Sequence, residues 1–368
     1  MKIGIITHHD VHNHGAQLQL FSLSKIIKSY GHEVVILDHN KNYDFLDREA
    51  EIKYKITLKS IPYYAKYFLK NGLKKTVFNI RKRRKLNKFR DENFSQPQFY
   101  SKLNDLDGVI IGSDEVFSIE GGLNTFFWGM GVPCNRIYSY AGSFGPTSIE
   151  QIEKRHAMEF IDGGIKRIKI ASVRDGNSAS IFKSIADITP TIVCDPVILD
   201  GYNYVQKNNK NLLKSKYVLI YSYDNNMNDQ KEIIEIVKFA KSNKLTIISA
   251  GFYHKWCDKN INVSPLELIE YIKHAEYVIT DTFHGTVISL ISNIQFATKI
   301  RGNRNKIGYL LDEYNLGSRE IIDFGNLNQL FSQIIDYARV NEVIDSKRQL
   351  SIKFLESCLE DIEEQLYN

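Results

Sequence analysis

The sequence predicts an α/β fold of two domains, each built on a parallel sheet, that face each other across a cleft. Strand-like apolar runs alternate with amphipathic helical segments along most of the chain, which is typical of parallel α/β proteins. The alternation is interrupted by a polar segment rich in Asn and Lys, residues 206–214. We therefore expect an N-terminal domain over residues 1–206 and a C-terminal domain over residues 207–368, which suits the chain length at ~150 residues per domain.

The first domain begins with a strand, helix, strand unit. An apolar strand is predicted at residues 3–7, an amphipathic helix at 16–30 that ends at Gly31, and a β-branched strand at 33–37. Because a helical crossover joins parallel strands, the sheet is expected to be parallel. Further strands are expected at residues 108–111, 136–140, 167–173 and 191–194.

The second domain repeats this alternation, with a helix predicted at residues 229–242. Another helix should begin after Ser264, because Ser264 and Glu267 form a capping box with proline at the first helical position. The segment from about Asn326 onward is helical in pattern, and its sequence does not indicate which domain it packs against. Strands are expected at residues 217–223, 245–249, 277–280 and 295–299.

Composition excludes several classes of protein. The 43% apolar and 25% charged residues are ordinary for a globular protein and unlike a disordered chain. The four cysteines are scattered without a C-x-x-C pair, which argues against a disulfide scaffold or structural zinc site and for a reducing compartment. Since the chain has no signal-peptide core and no apolar stretch near the ~20 residues of a membrane span, we expect a cytoplasmic location.

A strongly basic segment interrupts the first domain. Residues 52–90 contain fourteen Lys or Arg and no Asp or Glu, although the net charge of the chain is only +5. One interpretation is a helical insertion at about residues 52–95 that docks on an anionic membrane, and the other is a solvated face. No nucleic acid is expected, because no RNA or DNA module signature accompanies the segment. Membrane docking requires partial exposure of the interspersed aromatic side chains, including Tyr63, Tyr67, Phe68 and Phe78.

Polar residues and glycines follow the predicted strands of both domains. In parallel sheets, ligands bind beyond the carboxyl ends of the strands. In the second domain, Gly285 and Thr286 stand at a helix start, where backbone amides and the positive end of the helix dipole favour an anionic ligand. The corresponding positions of the first domain hold Asn13, Gly15, Ser113, Asp114, Ser143, Arg174 and Asp195.

Each of these residues alone has an ordinary explanation, such as a turn, a helix cap or a local ion pair. Their shared position at strand ends in two domains favours a site in the cleft. His8, His9, His12 and His14 invite a metal interpretation, but their spacing suits no familiar zinc pattern. We therefore expect neither a metal nor another cofactor, and the lack of G-x-G-x-x-G and P-loop motifs argues against dinucleotide oxidoreductases and P-loop enzymes.

Six blocks of this sequence resemble the polysaccharide pyruvyl transferase family and keep its order. Each block alone is a weak signal, but together they are specific and cover about residues 3–319. The resemblance implies two Rossmann-like domains arranged as in GT-B glycosyltransferases. It also implies transfer of pyruvate from phosphoenolpyruvate onto a sugar as a cyclic ketal. The blocks are NHGAQLQ from Asn13, GSDEV from Gly112, SYAGSFG from Ser139, SVRD from Ser172, DP from Asp195 and ITDTFHGT from Ile279.

The chain departs from the family pattern at four positions. Glu115 and Phe117 stand where Gln and Trp are frequent, His14 replaces an aromatic residue such as Tyr, and Thr282 replaces Ser. These differences leave the reaction class in place and bear on the acceptor sugar.

The resemblance implies roles for several basic residues. Phosphoenolpyruvate carries a carboxylate and a phosphate, and guanidinium groups are suited to hold both. Arg174 and Arg304 are the matching positions, with Arg301 a weaker candidate, and His284 is expected to bind the phosphate or deliver a proton. We expect Arg174, His284 and Arg304 to converge on one anion site in the cleft.

Ketal formation also requires an acid and a base. Asp114, Asp281 and Glu115 are the carboxylates near the expected cleft, and the sequence does not assign the two roles among them. The acceptor implied is a sugar, for which a lipid-linked oligosaccharide is the leading candidate. Other expected substrate-binding residues are Asn13, Gly15, Ser113, Ser143, Gly285 and Thr286.

Two other functions stay open from the sequence. A GT-B glycosyltransferase would use His284 and the following helix start to hold the diphosphate of a nucleotide sugar. A noncatalytic, membrane-associated scaffold of polysaccharide assembly would use the basic segment as its functional part. The presence of Arg174, His284 and Arg304 together argues against the scaffold.

Overall fold

The computed structural model describes residues 1–39, 61–201 and 215–367, with the backbone alone for residues 61–71. The described chain contains two sheets. The strands of the first are β1 (Lys2–Ile6), β2 (Glu33–Asp38), β3 (Gln98–Phe99), β4 (Gly108–Ile111), β5 (Ile137–Gly142), β6 (Ala171–Val173) and β7 (Thr191–Ile192). The strands of the second are β8 (Tyr217–Tyr221), β9 (Thr246–Ala250), β10 (Lys259–Ile261), β11 (Tyr277–Thr280) and β12 (Phe296–Thr298).

Both sheets are parallel, which confirms the expected fold class. The strand order is β3-β2-β1-β4-β5-β6-β7 in the first sheet and β10-β9-β8-β11-β12 in the second, and each of the paired strands runs parallel to its neighbours. Strand order reverses between β1 and β4 and between β8 and β11. In such sheets the ligand crevice opens at the carboxyl ends of the strands beside the reversal.

Helices connect most of the strands. Ser264 and Glu267 form the predicted capping box at the start of one helix. No helix within the described residues is both long and apolar enough to span a membrane. In chain order the helices are α1 (His14–Ser29), α2 (Ile61–Asn93), α3 (Ile149–Lys154), α4 (Met158–Lys166), α5 (Gly176–Ala186), α6 (Pro196–Asp200), α7 (Gln230–Ser242), α8 (Pro265–Lys273), α9 (Phe283–Ile291), α10 (Arg304–Glu313), α11 (Leu327–Ser332) and α12 (Tyr337–Tyr367).

One predicted strand is wrong over half of its length. Residues 167–173 were expected to be extended, but the amides of Arg167 and Ile168 still donate to the carbonyls of Gly164 and Ile165, 3.2 and 3.0 Å away. These two residues therefore close α4, and only Ala171–Val173 pairs as β6. An apolar, β-branched run cannot by itself distinguish a buried strand from a helix end.

The last helix, α12, packs on the first sheet. A Cβ added to Gly108 in β4 would lie 2.5 Å from Cδ1 of Ile362, and the Tyr138 hydroxyl in β5 donates to the carboxylate of Asp361. The Ser351 hydroxyl accepts from the amide of Cys194, 2.9 Å away. The chain thus returns from the second sheet to the first. The expected domain boundary at residues 206 and 207 lies outside the described residues.

Helix α2 joins the two domains through the half that follows Gly72, where the helix is kinked with φ +71°. Its contacts with the second domain come from one face. The ring of Phe78 packs on Tyr253 with centroids 5.6 Å apart, and Nζ of Lys82 lies 3.6 Å above the ring of Phe252. The basic segment is therefore in part a structural element between the domains.

The same helix is fixed to the first domain near its C-terminal end. The rings of Phe89 and Phe21 lie 5.6 Å apart, and Arg90 donates to the carboxylate of Asp10 over 2.8 Å. Phe78 is only 6% exposed, so the expectation that it faces a membrane is wrong, because it fills the gap between α2 and the second domain. The side chains of Tyr63, Tyr67 and Phe68 lie outside the described residues.

Replacing Phe78 with alanine tests this bridging role. We expect Phe78→Ala to lower the free energy of unfolding by about 3 kcal/mol, because it removes a buried aromatic ring from the contact between α2 and the second domain. The neighbouring Val77→Ala is the control, since Val77 is 36% exposed and its loss should cost at most about 0.5 kcal/mol. Urea unfolding measures both, and equal effects of the two substitutions would show that α2 does not pack as described.

Candidate functional site

The carboxyl ends of the two sheets meet at the N-terminus of α1. Asn13 caps this helix, its side-chain oxygen accepting from the amides of Gly15 and Ala16 at 2.8 and 3.3 Å. His14 reaches the second domain, where Nε2 lies 3.1 Å from the carbonyl oxygen of Val263. Burial of His14 lowers its pKa to about 3, so the ring is neutral and serves as a contact between domains.

Gly15 faces the predicted site histidine directly. A Cβ added to Gly15 would lie 2.1 Å from Nδ1 of His284 and 2.7 Å from its Cβ. A side chain at position 15 would therefore push the histidine away. The role of Gly15 is to permit this close approach between α1 and α9.

Three buried polar residues from both domains surround the carboxylate of Asp195, and we call the four residues the Asp195 cluster. Arg174 donates to Oδ2 of Asp195 over 2.8 Å, and the Ser113 hydroxyl donates to the same oxygen over 3.2 Å. Nε2 of His284 lies 3.7 Å from that oxygen. The structure thus brings Arg174, Ser113 and His284 together, as expected from the sequence.

The electrostatics of the cluster favour a charged pair. Burial alone raises the pKa of Asp195, but His284 and the Arg174 guanidinium hold it well below the usual range. For Arg174, burial lowers the pKa, because it disfavours the charged form. The negative charges of Asp195 and Asp114 more than offset this effect, so the pKa of Arg174 is raised overall. Asp195 is therefore an anion and Arg174 a cation in the folded protein.

A narrow pocket lies beside the cluster. The ring of Phe283 stacks against the Arg174 guanidinium, whose central carbon is 4.2 Å from the ring centroid. The aromatic face stabilises the buried cation. Residues from both domains line the pocket, including Arg174, Asp195, Phe283, Lys306 and Tyr309.

Asp114 stands at the entrance of the cleft in a strained conformation. Its φ of +86° lies in the left-handed region, which is costly for a residue other than glycine. Burial raises the pKa of Asp114, but nearby cations and imidazoles outweigh this and lower it. Those groups are His8, Arg174, His284 and Lys306.

An ion pair crosses the cleft next to Asp114. Lys306 in α10 donates to the carboxylate of Glu115, which follows β4 in the first domain. The position of Glu115 is further restricted by Gly145, whose added Cβ would lie 2.8 Å from the Glu115 carboxyl carbon. The structure therefore places Glu115 in the cleft as expected, with Lys306 as its partner.

The start of α9 is less open to an anion than the sequence indicates. The Gly285 amide donates to the side-chain oxygen of Thr282 over 2.9 Å, and the Thr286 amide donates to the Thr282 carbonyl over 3.1 Å. These amides were expected to be free for a ligand. The correction arises because Thr282 is itself the N-cap of the helix.

Ser143 stabilises the turn next to Arg174 through hydrogen bonds to Asp175 and Gly145. Its hydroxyl donates to the Asp175 carboxylate over 2.6 Å and accepts from the Gly145 amide over 2.9 Å. Asp175 is the N-cap of α5 and accepts from Ser178. The hydrogen bonds of Ser143 thus hold the turn that carries Asp175, next to Arg174.

Asp281 and the two second-domain arginines have partners other than the residues of the Asp195 cluster. Asp281 accepts from the hydroxyl of Ser222 over 2.8 Å and from Arg301 over 3.0 Å, and burial raises the pKa of Asp281. Arg304 is exposed and pairs with Glu320 at 2.5 Å. The Arg304 side chain at the first turn of α10 thus contacts Glu320, and its expected convergence with Arg174 and His284 on one anion stays a prediction.

The four neighbouring histidines face different partners. His8 lies 3.4 Å from the carbonyl oxygen of Glu115, His9 is 3.3 Å from the carboxylate of Asp38, and His12 is 3.0 Å from the amide oxygen of Asn87. His14 faces the second domain, as described above. Their side chains therefore diverge instead of forming one ligand set.

Sequence reasoning missed three residues of the cleft. The sequence places Asp195 at a strand end but assigns it no role, because a lone Asp-Pro pair is a frequent helix start. Lys306 carries no local motif. Tyr223 follows β8 and lies near Asn13 and Asp114 in the cleft, and burial of its hydroxyl end, with the charge of Asp114, raises its pKa to about 12. Only the placement of α10 and β8 against the first domain reveals Lys306 and Tyr223.

Solved structures with similar folds cover nearly the whole chain. A UDP-GlcNAc 2-epimerase from Methanocaldococcus jannaschii is 11% identical with a TM-score of 0.53, over 91% of this chain and 93% of that one. Arabidopsis thaliana UGT89C1, complexed with UDP-L-rhamnose, is 10% identical with a TM-score of 0.55, over 98% of both chains. These epimerases and glycosyltransferases have the GT-B fold, and so does this protein. At such identities the similarity concerns the fold alone.

A comparison of the sequence with models of known protein families shows the family to which the chain belongs. The model of the family described as polysaccharide pyruvyl transferase matches residues 13–298, which is most of the chain. This protein therefore belongs to the polysaccharide pyruvyl transferase family, as the six sequence blocks predicted. A comparison with curated proteins gives no match.

A substitution of Gly15 tests the contact between the domains. Gly15→Ala should destabilise the protein by about 1–3 kcal/mol, because the new methyl group overlaps the ring of His284. Gly163→Ala in the middle of α4 is the matched control, since no atom lies within 4 Å of its added Cβ. That control should gain up to about 1 kcal/mol from helix propensity. If Gly15→Ala is as stable as Gly163→Ala, the domains do not approach as described.

Removing the charge of Asp195 should leave Arg174 buried without a counterion. We expect Asp195→Asn to lower the free energy of unfolding at neutral pH by about 3–5 kcal/mol. Because the pKa of Asp195 is depressed in the folded state, its contribution is complete above the unfolded value of about 3.9 and is lost as the pH falls through the folded pKa. The difference between the two proteins should therefore narrow on acidification below about pH 4.

Asp187→Asn is the control for this measurement. Asp187 pairs with Lys183 on the surface, and its carboxylate is fully exposed to solvent. Its replacement should leave the free energy of unfolding nearly unchanged, both at neutral pH and below about pH 4. A gap between wild type and Asp195→Asn that stays constant on acidification would contradict the buried ion pair.

Proposed function

We propose that this enzyme transfers pyruvate from phosphoenolpyruvate to two hydroxyl groups of a sugar in a surface-polysaccharide or lipid-linked oligosaccharide precursor. The observation that carries the proposal is a pair of buried nitrogen atoms beside the pocket. Among the described residues, Nε of Arg174 has no hydrogen-bond partner, and Nε2 of His284 makes no hydrogen bond and has only the Asp195 carboxylate 3.7 Å away. A buried donor without a partner costs about 1–3 kcal/mol, so a ligand with acceptor oxygens is expected there.

Two cations from opposite domains would hold the donor. Phosphoenolpyruvate has a phosphate and a carboxylate, and Arg174 and Lys306 both line the pocket. We assign Lys306 the role that the sequence gave to Arg304, since Lys306 pairs with Glu115 of the first domain and Arg304 with Glu320 of its own domain. Both groups are preorganised for charge-assisted hydrogen bonds to oxyanions.

Charge balance makes a further demand on binding. Arg174 is already paired with Asp195, and Lys306 with Glu115. The donor anion would therefore have to displace Glu115 from Lys306.

The reaction can be written with its protons balanced. His284 gives a proton to the methylene carbon of phosphoenolpyruvate, which makes the central carbon electrophilic. One sugar hydroxyl adds to that carbon and gives its proton to Asp114. The second hydroxyl then displaces the phosphate from the same carbon, and its proton leaves with the phosphate. Transfer of a proton from Asp114 to His284 restores both groups.

This assignment of acid and base rests on the surroundings of each group. The lowered pKa of Asp114 keeps it ionised, as a general base must be. Its strained backbone is typical of a residue held in place for function. Asp281 is bound by Ser222 and Arg301 at the start of α9. We therefore assign Asp281 the role of positioning α9, and with it His284.

The acceptor would approach from the open side of the cleft. Asn13 and Tyr223, which lie near each other in it, are placed to contact sugar hydroxyls. We propose a lipid-linked oligosaccharide as acceptor, at the inner face of the cell membrane. Such an acceptor would require the enzyme to work in the cytoplasm next to the membrane.

Thermal unfolding with added ligands tests the donor. Phosphoenolpyruvate should raise the melting temperature, because it binds only the folded protein, and uridine diphosphate should not. The shift should disappear in Lys306→Gln and persist in Arg304→Gln. Arg304→Gln is the matched control, because it also removes one ion pair formed by a residue of α10. A shift with uridine diphosphate alone would instead indicate a nucleotide-sugar glycosyltransferase.

The base is tested by Asp114→Asn. Asparagine tolerates the left-handed backbone conformation about as well as aspartate, so the fold should be retained. Turnover, followed as release of phosphate and gain of a pyruvyl mass on the acceptor, should fall by about 10²–10⁴-fold. Unchanged turnover would remove Asp114 from the mechanism.

A further inference from the structure

Helix α2 presents a row of apolar side chains to solvent. Leu73 is 67% exposed, Val77 36% and Ile80 48%. Their spacing of four and three residues places them on one face of the helix. We call this row, together with the basic residues described next, the α2 stripe.

Basic residues surround the apolar row. Arg84 continues the row at the helical spacing, with Lys74 and Arg81 beside it on the same face. There is no acidic residue between positions 52 and 90, and Asp91 and Glu92 follow only at the end of the helix. The exposed basic residues of the stripe are Lys74, Arg81, Arg83, Arg84 and Lys88.

The opposite face of the helix fixes this orientation. Phe78 and Lys82 contact the second domain, and Phe89 packs against the first. Lys85 forms a further ion pair with Glu267 over 2.6 Å. Because these contacts occupy the buried side of α2, the stripe faces away from both domains.

We propose that the α2 stripe docks this enzyme on an anionic lipid bilayer. A bilayer surface offers anionic headgroups for the five cations and an apolar layer just beneath them for the aliphatic side chains. A nucleic acid would satisfy the charges, but it has no use for three exposed aliphatic side chains that carry no hydrogen-bonding group. The pattern of both types on one helix face therefore fits a bilayer better.

The two most exposed aliphatic side chains of the described residues do not share this pattern. Ile322 and Ile334 are 76% and 80% exposed, more than any member of the row. They lie in separate loops and not on one helix face. Single exposed apolar residues are normal in soluble proteins, so it is the combination on α2 that carries the inference.

Docking is independent of the chemistry in the cleft, since it needs neither phosphoenolpyruvate nor an acceptor. If the proposed function is also correct, docking would bring the cleft to a lipid-carried acceptor. Because α2 contacts both domains, a docked helix would orient the whole molecule. Failure of one proposal leaves the other standing, as the two use different measurements.

Vesicle flotation of the full-length protein tests the docking. We expect the protein to float with vesicles of phosphatidylcholine and phosphatidylglycerol at low salt, and not with phosphatidylcholine alone. The triple variant Lys74→Gln, Arg81→Gln, Arg84→Gln should lose roughly 100-fold in partitioning, at ~1 kcal/mol per basic residue. The control is Lys154→Gln, Lys241→Gln, Lys353→Gln, which removes the same charge from exposed positions elsewhere.

High salt isolates the apolar contribution, because it screens the charges. Residual binding of the wild type at high salt should be lost in Leu73→Gln, Val77→Gln, Ile80→Gln and kept in the control Ile322→Gln, Ile334→Gln. Circular dichroism and thermal unfolding would establish that each variant is folded.

Three results would overturn the proposal. The first is no binding of the wild type to anionic vesicles at low salt. The second is equal loss in the stripe variant and the lysine control, which would make the attraction a matter of net charge. The third is binding to an RNA or DNA oligonucleotide without binding to anionic vesicles.

Discussion

The buried ion pair of Arg174 and Asp195 is the interaction on which the site depends. Two charges removed from water are stable only when they are paired and hydrogen-bonded, since desolvation costs several kcal/mol per ion. Asp195 meets this condition with Arg174 and Ser113 from its own domain and then receives His284 from the other. The requirements of one carboxylate thus determine where the second domain's histidine lies. Gly15 makes the approach possible by having no side chain.

Two long helices stabilise this arrangement from outside the cleft. Helix α2 contacts both domains through Phe78, Lys82 and Phe89, and α12 returns from the second sheet to pack on the first at Gly108. With the domains tied at these points, access to the pocket depends on smaller changes. Lys306 lines the pocket and also pairs with Glu115 of the first domain, so this ion pair connects the pocket to the contact between the domains.

Much of the fold could be predicted from the sequence because its signals are local. Apolar strands, the Ser264 capping box and the alternation of strands with helices are readable over a few residues, and the carboxyl-end rule points to the sheet edge where the structure places Ser113, Arg174 and His284 near one another. Contacts between distant segments were not readable. Nothing in the local sequence shows that Lys306 faces Glu115 while Arg304 turns to Glu320. Phe78 was likewise misjudged, because the domain that buries it is remote in sequence.

A crystal structure of the protein soaked with phosphoenolpyruvate tests the central claim most directly. The account predicts that the ligand lies in the pocket beside the Asp195 cluster, with its anionic groups within hydrogen-bond distance of Arg174 and Lys306 and with Glu115 moved off Lys306. The methylene carbon should face His284. A ligand bound elsewhere, or bound with the Lys306 and Glu115 pair intact and no contact to Arg174, would contradict it.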